Sequence, residues 1–218
     1  AGKTTLLKAI AGLIRIESGQ IMLGDSQLMS LDAGQRARKV AYLAQERIAH
    51  WPLLVERVVA LGRFPHLAHW QQPGEQDQRI IDAAMRATDV YDFRQRRISE
   101  LSGGERMRVL LARALAVQAD ILLADEPVNA LDPAHALAIM QLLRNSCEQG
   151  ASVIAVMHDL TLAARFCHRL VLMDGGRIIA SGSPQEVLTD DHLRQVYHIE
   201  TYPGNGDEFV VLPWTLCE

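Results

Sequence analysis

The chain has 218 residues, of which 49% are hydrophobic and 22% charged, and its formal net charge is −4. This balance fits a globular protein with a sizeable core and argues against a nucleic-acid binder, because the basic residues are scattered along the chain. The three cysteines, Cys147, Cys167 and Cys217, lack the spacing of metal ligands and indicate reduced thiols. The sequence contains no apolar run of about 18 residues, so it predicts no membrane span.

The first residues carry a phosphate-binding pattern. Gly2, Lys3, Thr4 and Thr5 precede the apolar positions of a helix at 6–10, and G-K-[ST] before a helix is the second half of a phosphate-binding loop. Lys3 is expected to reach the β- and γ-phosphates and Thr4 to bind Mg²⁺, while the backbone of residues 2–5 surrounds phosphate oxygens.

Two strands and a helical region follow. Residues 20–23 and 40–44 have strand patterns, and Gln45 ends the second of them. A mainly helical region is predicted from residue 46 to 120, with helices at 55–62 and 76–88 separated by a Pro-Gly breaker.

The sequence Leu-Ser-Gly-Gly-Glu at residues 101–105 is the most specific pattern in the chain. Ser102 and Glu105 form a capping box, so a helix is predicted over 103–115. Gly103 and Gly104 leave the backbone N–H groups of its N-terminus open to a phosphate, which the helix dipole attracts. An ordinary capped helix explains the pattern as well.

A second specific pattern lies at 121–127. The apolar strand 121–124 leads directly into Asp125 and Glu126, at the edge of a parallel sheet where ligands bind. Asp125 is placed to hold Mg²⁺, and Glu126 to polarise a water molecule for attack on a γ-phosphate. A plain acidic turn is the alternative.

The next elements continue an α/β pattern. Asp132 precedes a helix at 133–149 that Gly150 closes, and the strand 152–157 ends at His158. An N-cap role explains Asp132 without any ligand, and a single histidine at a strand end is more often structural than a phosphate ligand.

The C-terminal region begins with a hairpin. The strands 170–173 and 177–180 flank a turn at 174–176. Residues 183–186 have the pattern of a helix start, and residues 209–212 that of a strand.

In this order the motifs resemble those of the nucleotide-binding subunits of ABC transporters, and the resemblance covers residues 1–182. Residues 2–5 match the family's Walker A motif, 101–105 its signature motif, and 121–125 its Walker B motif, followed by the catalytic Glu126. The resemblance implies an α/β fold: a P-loop NTPase (RecA-like) core with a mainly parallel sheet, interrupted by an α-helical subdomain. The implied cofactors are ATP and Mg²⁺.

Other family positions match too. Gln45 matches a glutamine that senses Mg²⁺ and the membrane partner, and His158 a histidine that contacts the γ-phosphate. Asp132 matches the D-loop, although the family more often has Ser or Thr where Val128 and Asn129 stand. The resemblance thus implies three groups of site residues: catalytic Glu126, His158 and Gln45; nucleotide-binding Gly2, Lys3, Thr4, Thr5, Ser102, Gly103, Gly104 and Asp132; and metal-binding Thr4, Gln45 and Asp125.

The resemblance also implies the organisation and partners of the protein. The ATPase core is expected at 1–50 and 119–182, the helical signature subdomain at 51–118, and a C-terminal helix and strand extension at 183–218. Two copies are expected to form a homodimer that sandwiches two ATP molecules. The dimer would bind integral membrane permease subunits at the cytoplasmic face of the inner membrane. A substrate-binding protein would deliver the transported ligand to the permease, and no nucleic acid is expected as a partner.

A shorter stretch suggests the kind of transporter. Residues 58–66 resemble a segment typical of ATPases that power import of iron-siderophore, haem or cobalamin. An amphipathic helix that ends at Gly62, with Pro65 as a stop, explains the same residues. We expect the permease to contact an exposed face near Gln45, where residues 51–54 offer apolar surface beside the glutamine.

Three alternatives stay open. The chain could serve another transporter class, such as one for metal ions, or could be a soluble ABC ATPase of DNA repair or translation. The phosphate loop lacks its first half, so we expect residues 1–218 to begin inside that motif and to lack the strand before it. An inert fragment that binds ATP poorly or aggregates is therefore the third alternative.

Overall fold

The structure is a computed structural model, and it describes residues 2–45, 52–68, 70–129, 131–202 and 210–216. The chain divides into two compact units. The larger is Leu7–Ala155, and the smaller combines Ala1–Leu6 with Val156–Glu218. The domain boundaries expected from the sequence divide the chain by function and not by compactness, and they stay a prediction.

Helices and strands alternate along the chain. The first elements are α1 (Lys3–Ile10), β1 (Met22–Leu23), β2 (Ser26–Gln27), α2 (Ala33–Lys39), β3 (Val40–Leu43), α3 (Val55–Ala60), α4 (Glu75–Ala87), α5 (Gly103–Ala116) and β4 (Ile121–Asp125). They are followed by α6 (Pro133–Glu148), β5 (Ser152–Val156), α7 (Leu160–Phe166), β6 (Leu170–Asp174), β7 (Arg177–Gly182), α8 (Pro184–Val187), α9 (Asp190–Tyr197), β8 (Ile199–Tyr202) and β9 (Leu212–Leu216). In the described ranges, none of the helices is long and apolar enough to cross a membrane.

The central sheet has the strand order β3, β4, β5. β3 and β4 are parallel, and their register pairs Val40 with Ile121 and Leu43 with Ala124. β4 is the middle strand and is buried on both faces, since the consecutive residues Leu123 and Ala124 are fully buried, and this burial suits its unbroken apolar run. The carboxyl ends of β3 and β4 therefore meet at the same edge of the sheet.

The helical region packs around α5. This helix contacts α3, α4 and β3, and it buries Met107, Val109 and Leu111 almost completely. Met107 and Leu111 share one face of the helix and Val109 lies on another, so α5 is buried on more than one side, as a helix packed between several neighbours is. The packing of α5 against these neighbours therefore fixes the position of its N-terminus.

Gly62 shows where the helix prediction is wrong. α3 ends at Ala60, and a 3-10 turn continues over Leu61–His66 with Pro65 inside it. A Cβ atom at Gly62 would lie only 2.3 Å from the carbonyl oxygen of Arg113 on α5. Glycine is needed here because the backbone of α5 comes so close, and not because a helix ends.

We expect Gly62→Ala to lower the free energy of unfolding by about 1 to 3 kcal/mol, because the added methyl group overpacks this contact. Urea denaturation followed by circular dichroism measures the change. Gly74→Ala is the matched control, since a Cβ there meets only Asp77 Oδ2, at 3.9 Å. Equal stability of both variants would contradict the close contact seen at Gly62.

The predicted hairpin of the smaller unit is confirmed. β6 and β7 pair antiparallel, and the two loop residues Gly175 and Gly176 have φ of 52° and 79°. Positive φ at both positions belongs to the type I′ turn, which glycine favours. The Asp-Gly-Gly sequence at 174–176, between two apolar runs, was enough to identify this turn.

Two strand predictions are wrong in their extent. The strand expected at 20–23 is reduced to Met22–Leu23, because its partner β2 has only two residues and pairs with these two alone. The strand expected at 209–212 begins only at Leu212, and Phe209 lies outside the described residues.

Val211 belongs to the small core of this unit instead. It packs with Leu160, Leu188 and Leu193, and its carbonyl accepts a hydrogen bond from Thr161 Oγ1 at 2.7 Å. The apolar character of Val211 that suggested a strand is thus explained by burial.

Candidate active site

The two carboxylates after β4 occupy different environments. Asp125 is fully buried at the end of the strand, whereas Glu126 is half-buried in the turn that follows. The register that pairs Leu43 with Ala124 means that Gln45 and Glu126 each stand two residues beyond the paired ends of neighbouring strands. The structure therefore places Gln45, Asp125 and Glu126 at one edge of the sheet.

Tyr42 is a site residue that the sequence analysis missed. Its hydroxyl donates a long hydrogen bond of 3.5 Å to Asp125 Oδ2. A buried carboxylate needs polar partners, and Tyr42 supplies one from the adjacent strand. The signal in the sequence was a tyrosine hydroxyl inside an otherwise apolar strand, which we interpreted only as a strand residue.

The turn after β4 has an unusual backbone. Glu126 has φ of +56°, a left-handed conformation that few residues other than glycine adopt. The side-chain amide of Asn129 donates a 2.7 Å hydrogen bond to Glu126 Oε2. Residues in such conformations cluster at functional sites, so the turn supports a functional reading of Glu126.

The phosphate-loop residues lie at the start of α1. Gly2 has φ of +84°, and its carbonyl accepts a 3.0 Å hydrogen bond from the amide of Leu6. Lys3 and Thr4 are half-buried in the first turn of the helix, and Thr5 is exposed. The positive φ explains why glycine precedes Lys3, since other residues are strained in this conformation.

The signature motif forms the N-terminus of α5 as predicted. Ser102 Oγ accepts a 3.2 Å hydrogen bond from the Glu105 amide, and Glu105 Oε2 accepts a 2.7 Å bond from the Ser102 amide. The backbone bond from Ser102, followed by its side-chain bond, lowers the pKa of Glu105. Leu101 is buried and anchors the turn, whereas Ser102 is exposed and Gly103 and Gly104 are partly accessible.

Asp132 is the N-cap of α6. Its Oδ1 accepts hydrogen bonds of 3.1 Å from the amides of Ala134 and His135, and its Oδ2 contacts His135 Nδ1. The His135 side-chain bond is the main cause that lowers the pKa of Asp132. Helix capping accounts for Asp132, and its contact with nucleotide stays a prediction. Ala130, the D-loop residue before Leu131, lies outside the described residues.

His158 belongs to the smaller unit. It is exposed and follows β5 by two residues. The next residue, Asp159, caps α7 by accepting a 2.9 Å hydrogen bond from the Leu162 amide. The hydrogen bond of Asp159 therefore holds the turn that contains His158. The contact of His158 with a γ-phosphate stays a prediction.

Comparison with known proteins decides the family. Residues 1–129, more than half of the chain, match the ABC transporter family. The chain belongs to the ABC transporter family. As an ABC ATPase it binds and hydrolyses ATP, and the resemblance of its Walker and signature motifs to this family is confirmed.

Curated relatives of this ABC ATPase cover nearly the whole chain. The hemin import ATP-binding protein HmuV of Pseudomonas fluorescens is 39% identical over 220 residues, or 97% of this chain and 85% of the relative. The iron(3+)-hydroxamate import ATP-binding protein FhuC of Bacillus subtilis is 39% identical, covering 91% of this chain and 74% of the relative. The cobalamin import ATP-binding protein BtuD of Halobacterium salinarum is 38% identical, covering 94% and 52%.

Solved structures confirm the fold of this ABC ATPase. A metal-chelate type ABC transporter in an inward-facing conformation superposes with a TM-score of 0.82 at 23% identity, covering 98% of this chain and 82% of that one. At this identity the likeness concerns the fold alone. A dimeric bacterial ABC transporter cassette superposes with a TM-score of 0.75 at 28% identity, covering 84% and 81%. The predicted P-loop NTPase fold is confirmed.

The structure of this ABC ATPase assembles part of the predicted site. Gln45, Asp125 and Glu126 share one sheet edge, and residues 102–104 begin the helix α5 in the same compact unit. The remaining predicted phosphate contacts belong to the smaller unit; they are Gly2, Lys3, Thr4, Thr5 and His158.

Proposed function

We propose that this ABC ATPase powers the import of an iron-siderophore, haem or cobalamin. The observation that carries the proposal is the set of curated relatives, whose names give these three cargoes and which align over 91% to 97% of the chain. All three are large organic ligands that hold a metal. The permease and the substrate-binding protein are expected to choose among them, because the ATPase meets only nucleotide and permease.

Glu126 is the proposed general base. It takes a proton from a water molecule while the water oxygen forms a bond to the γ-phosphorus of ATP. The bond from that phosphorus to the oxygen of the β-phosphate breaks, and ADP and inorganic phosphate are released. The position of Glu126 at the sheet edge, directly after the buried Asp125, supports this role.

The residues of the site fit Mg²⁺. Asp125 and Gln45, at one edge of the sheet, offer carboxylate and amide oxygens, which this ion accepts as ligands. Thr4, in the smaller unit, is the hydroxyl ligand that the family resemblance implies. In the described residues no three His, Cys, Asp or Glu side chains form a metal site by themselves, and Mg²⁺ at a nucleotide takes most of its ligands from phosphate and water. When bound, the ion neutralises charge on the phosphate oxygens.

The signature motif is proposed to act on nucleotide held by a second copy of the chain. Ser102 is exposed at the start of a helix of 14 residues, where backbone N–H groups and the helix dipole attract an anion. In a head-to-tail dimer this terminus meets the γ-phosphate held by the partner's Walker motifs. Hydrolysis removes that phosphate, and the dimer opens. Asp132 and His158 complete the nucleotide contacts.

The permease is proposed to bind beside Gln45, at the cytoplasmic face of the inner membrane. The apolar face predicted at 51–54 is less exposed than expected, because Leu53 and Leu54 are half-buried. The carbonyl of Leu53 accepts a 2.9 Å hydrogen bond from the Ile98 amide, and Leu54 forms a β-bridge with Arg97. Trp51 lies outside the described residues. Exposed Gln45 and Pro52 remain available for the contact.

Reconstitution tests the proposed cargo. The ATPase is assembled with its permease in liposomes and assayed with binding protein loaded with ferric siderophore, haem or cobalamin. We expect one of the three to accelerate ATP hydrolysis and to accumulate inside the vesicles. Acceleration by a free metal ion and by none of the three would contradict the proposal.

A further inference from the structure

The turn after β4 brings a second side chain onto the proposed base. The Asn129 amide nitrogen lies 2.7 Å from Glu126 Oε2 and donates a hydrogen bond to it. The same two residues are joined through the backbone, because the Asn129 amide donates a 3.2 Å bond to the carbonyl of Glu126. Asn129 therefore binds both the backbone and the carboxylate of Glu126.

The backbone of the turn keeps this contact in place. Glu126 has φ of +56°, and Pro127, which is buried, has a ring that fixes its own φ. Leu131 closes the next turn by donating a 3.2 Å hydrogen bond to the carbonyl of Val128. With the backbone held at both ends, the side-chain bond from Asn129 restrains the remaining freedom, the rotation of the Glu126 side chain.

Residue type matters at this position. A Ser or Thr hydroxyl occupies the place of the asparagine Cγ, so it ends about 1.3 Å, one C–N bond, short of the amide nitrogen. From the same backbone, a serine at residue 129 would not reach Glu126 Oε2.

We propose that Asn129 is a positioning residue that orients the carboxylate of Glu126 toward the attacking water. The inference rests on the proposed role of Glu126 as the base. A neutral amide donor suits this task, since it holds one carboxylate oxygen without adding charge at the phosphates. Loss of the donor leaves the base present but misplaced, and a misplaced group lowers the rate of the chemical step.

Single-turnover hydrolysis at saturating Mg-ATP tests the proposal on the full-length protein. We expect Asn129→Ala and Asn129→Ser to lower the rate about 10- to 100-fold while the Kd for Mg-ATP stays unchanged. Asn129→Asp, which has the same shape but places a second carboxylate against Glu126, is expected to lower the rate at least as much.

Asn145→Ala is the matched control. Asn145 is an exposed asparagine on α6 whose side chain accepts a hydrogen bond from Gln141 at 2.8 Å. Its loss is expected to leave the rate and the Kd unchanged. A rate for Asn129→Ser equal to that of the unmodified protein would overturn the inference, as would a loss of rate in Asn129→Ala that is matched by an equal loss of nucleotide affinity.

A double variant separates this inference from the proposed function. If Asn129 acts through Glu126, Asn129→Ala adds no further loss of rate in a Glu126→Gln background. A further loss of rate there would overturn the inference. If Glu126→Gln alone retains turnover, the proposed base is wrong; if it abolishes turnover but Asn129→Ala retains it, only the positioning role is wrong.

Discussion

The Glu126→Gln variant is expected to lose ATP turnover while it keeps its affinity for Mg-ATP. Glutamine preserves the size of the side chain and can still accept a hydrogen bond from Asn129, but it cannot take the proton of the attacking water. Removal of a general base lowers the rate by about 100- to 10,000-fold. Phosphate release measures kcat, and a fluorescent ATP analogue measures the Kd.

Glu148→Gln is the matched control for this substitution. Glu148 is an exposed glutamate at the end of α6, 3.9 Å from Arg144 Nε, and no part of the site depends on it. It should turn over ATP at the unmodified rate. Retained hydrolysis in Glu126→Gln would remove Glu126 from the catalytic role.

The second large effect is expected from Arg63→Ala, on stability. Arg63 is buried in the 3-10 turn after α3, where its Nε donates a 2.8 Å hydrogen bond to Asp77 Oδ1. Its Nη1 donates a further 2.8 Å bond to the carbonyl of Ala116. One side chain thus connects the turn to the start of α4 and the end of α5. Its removal takes away the charged partner of Asp77, which keeps only the backbone bond from Gly74, and leaves the Ala116 carbonyl without this donor; the expected cost is about 3 kcal/mol of unfolding free energy.

The ion pair also predicts a pH dependence. The bond from Arg63, followed by the backbone bond from Gly74, lowers the pKa of Asp77. A carboxyl group whose pKa is lower in the folded state stabilises the fold above its unfolded pKa of about 3.9 and loses that contribution as pH falls. The unmodified protein should therefore lose more stability than Arg63→Ala as the pH falls below about 4.

Chemical denaturation over this pH range measures both effects. Arg79→Ala is the control, since the Arg79–Glu75 pair is highly exposed with its atoms 3.8 Å apart, and such pairs contribute less than about 1 kcal/mol. Equal losses of stability in the Arg63 and Arg79 variants would show that the Arg63–Asp77 pair does not hold the helical region together.

Local patterns predicted some elements closely and others poorly. α5 and β4 were predicted to within one residue because each combines an apolar pattern with a clear boundary, Ser102 for the helix and Asp125 for the strand. The 3-10 turn at Leu61–His66 was missed because it depends on the approach of α5 to Gly62, a contact distant in sequence.

The same distinction applies to the site. Ser102, Asp125 and Glu126 could be predicted as site residues from their type and position. Phosphate binding needs an open helix start, and metal binding and water activation need carboxylates at the end of a strand. The contact between Asn129 and Glu126 depends on positive φ at Glu126, directly before a proline, where sequence rules favour an extended conformation. No local pattern could have revealed it.

The central claim, that two copies of the chain sandwich ATP through Ser102 and its neighbours, is tested most directly by light scattering. The molar mass of the full-length Glu126→Gln protein is measured with and without Mg-ATP. We predict a monomer that becomes a dimer only with Mg-ATP, and no such change when Ser102→Arg is added to block the start of α5. A molar mass that does not respond to Mg-ATP, or a dimer that forms despite Ser102→Arg, would contradict the account.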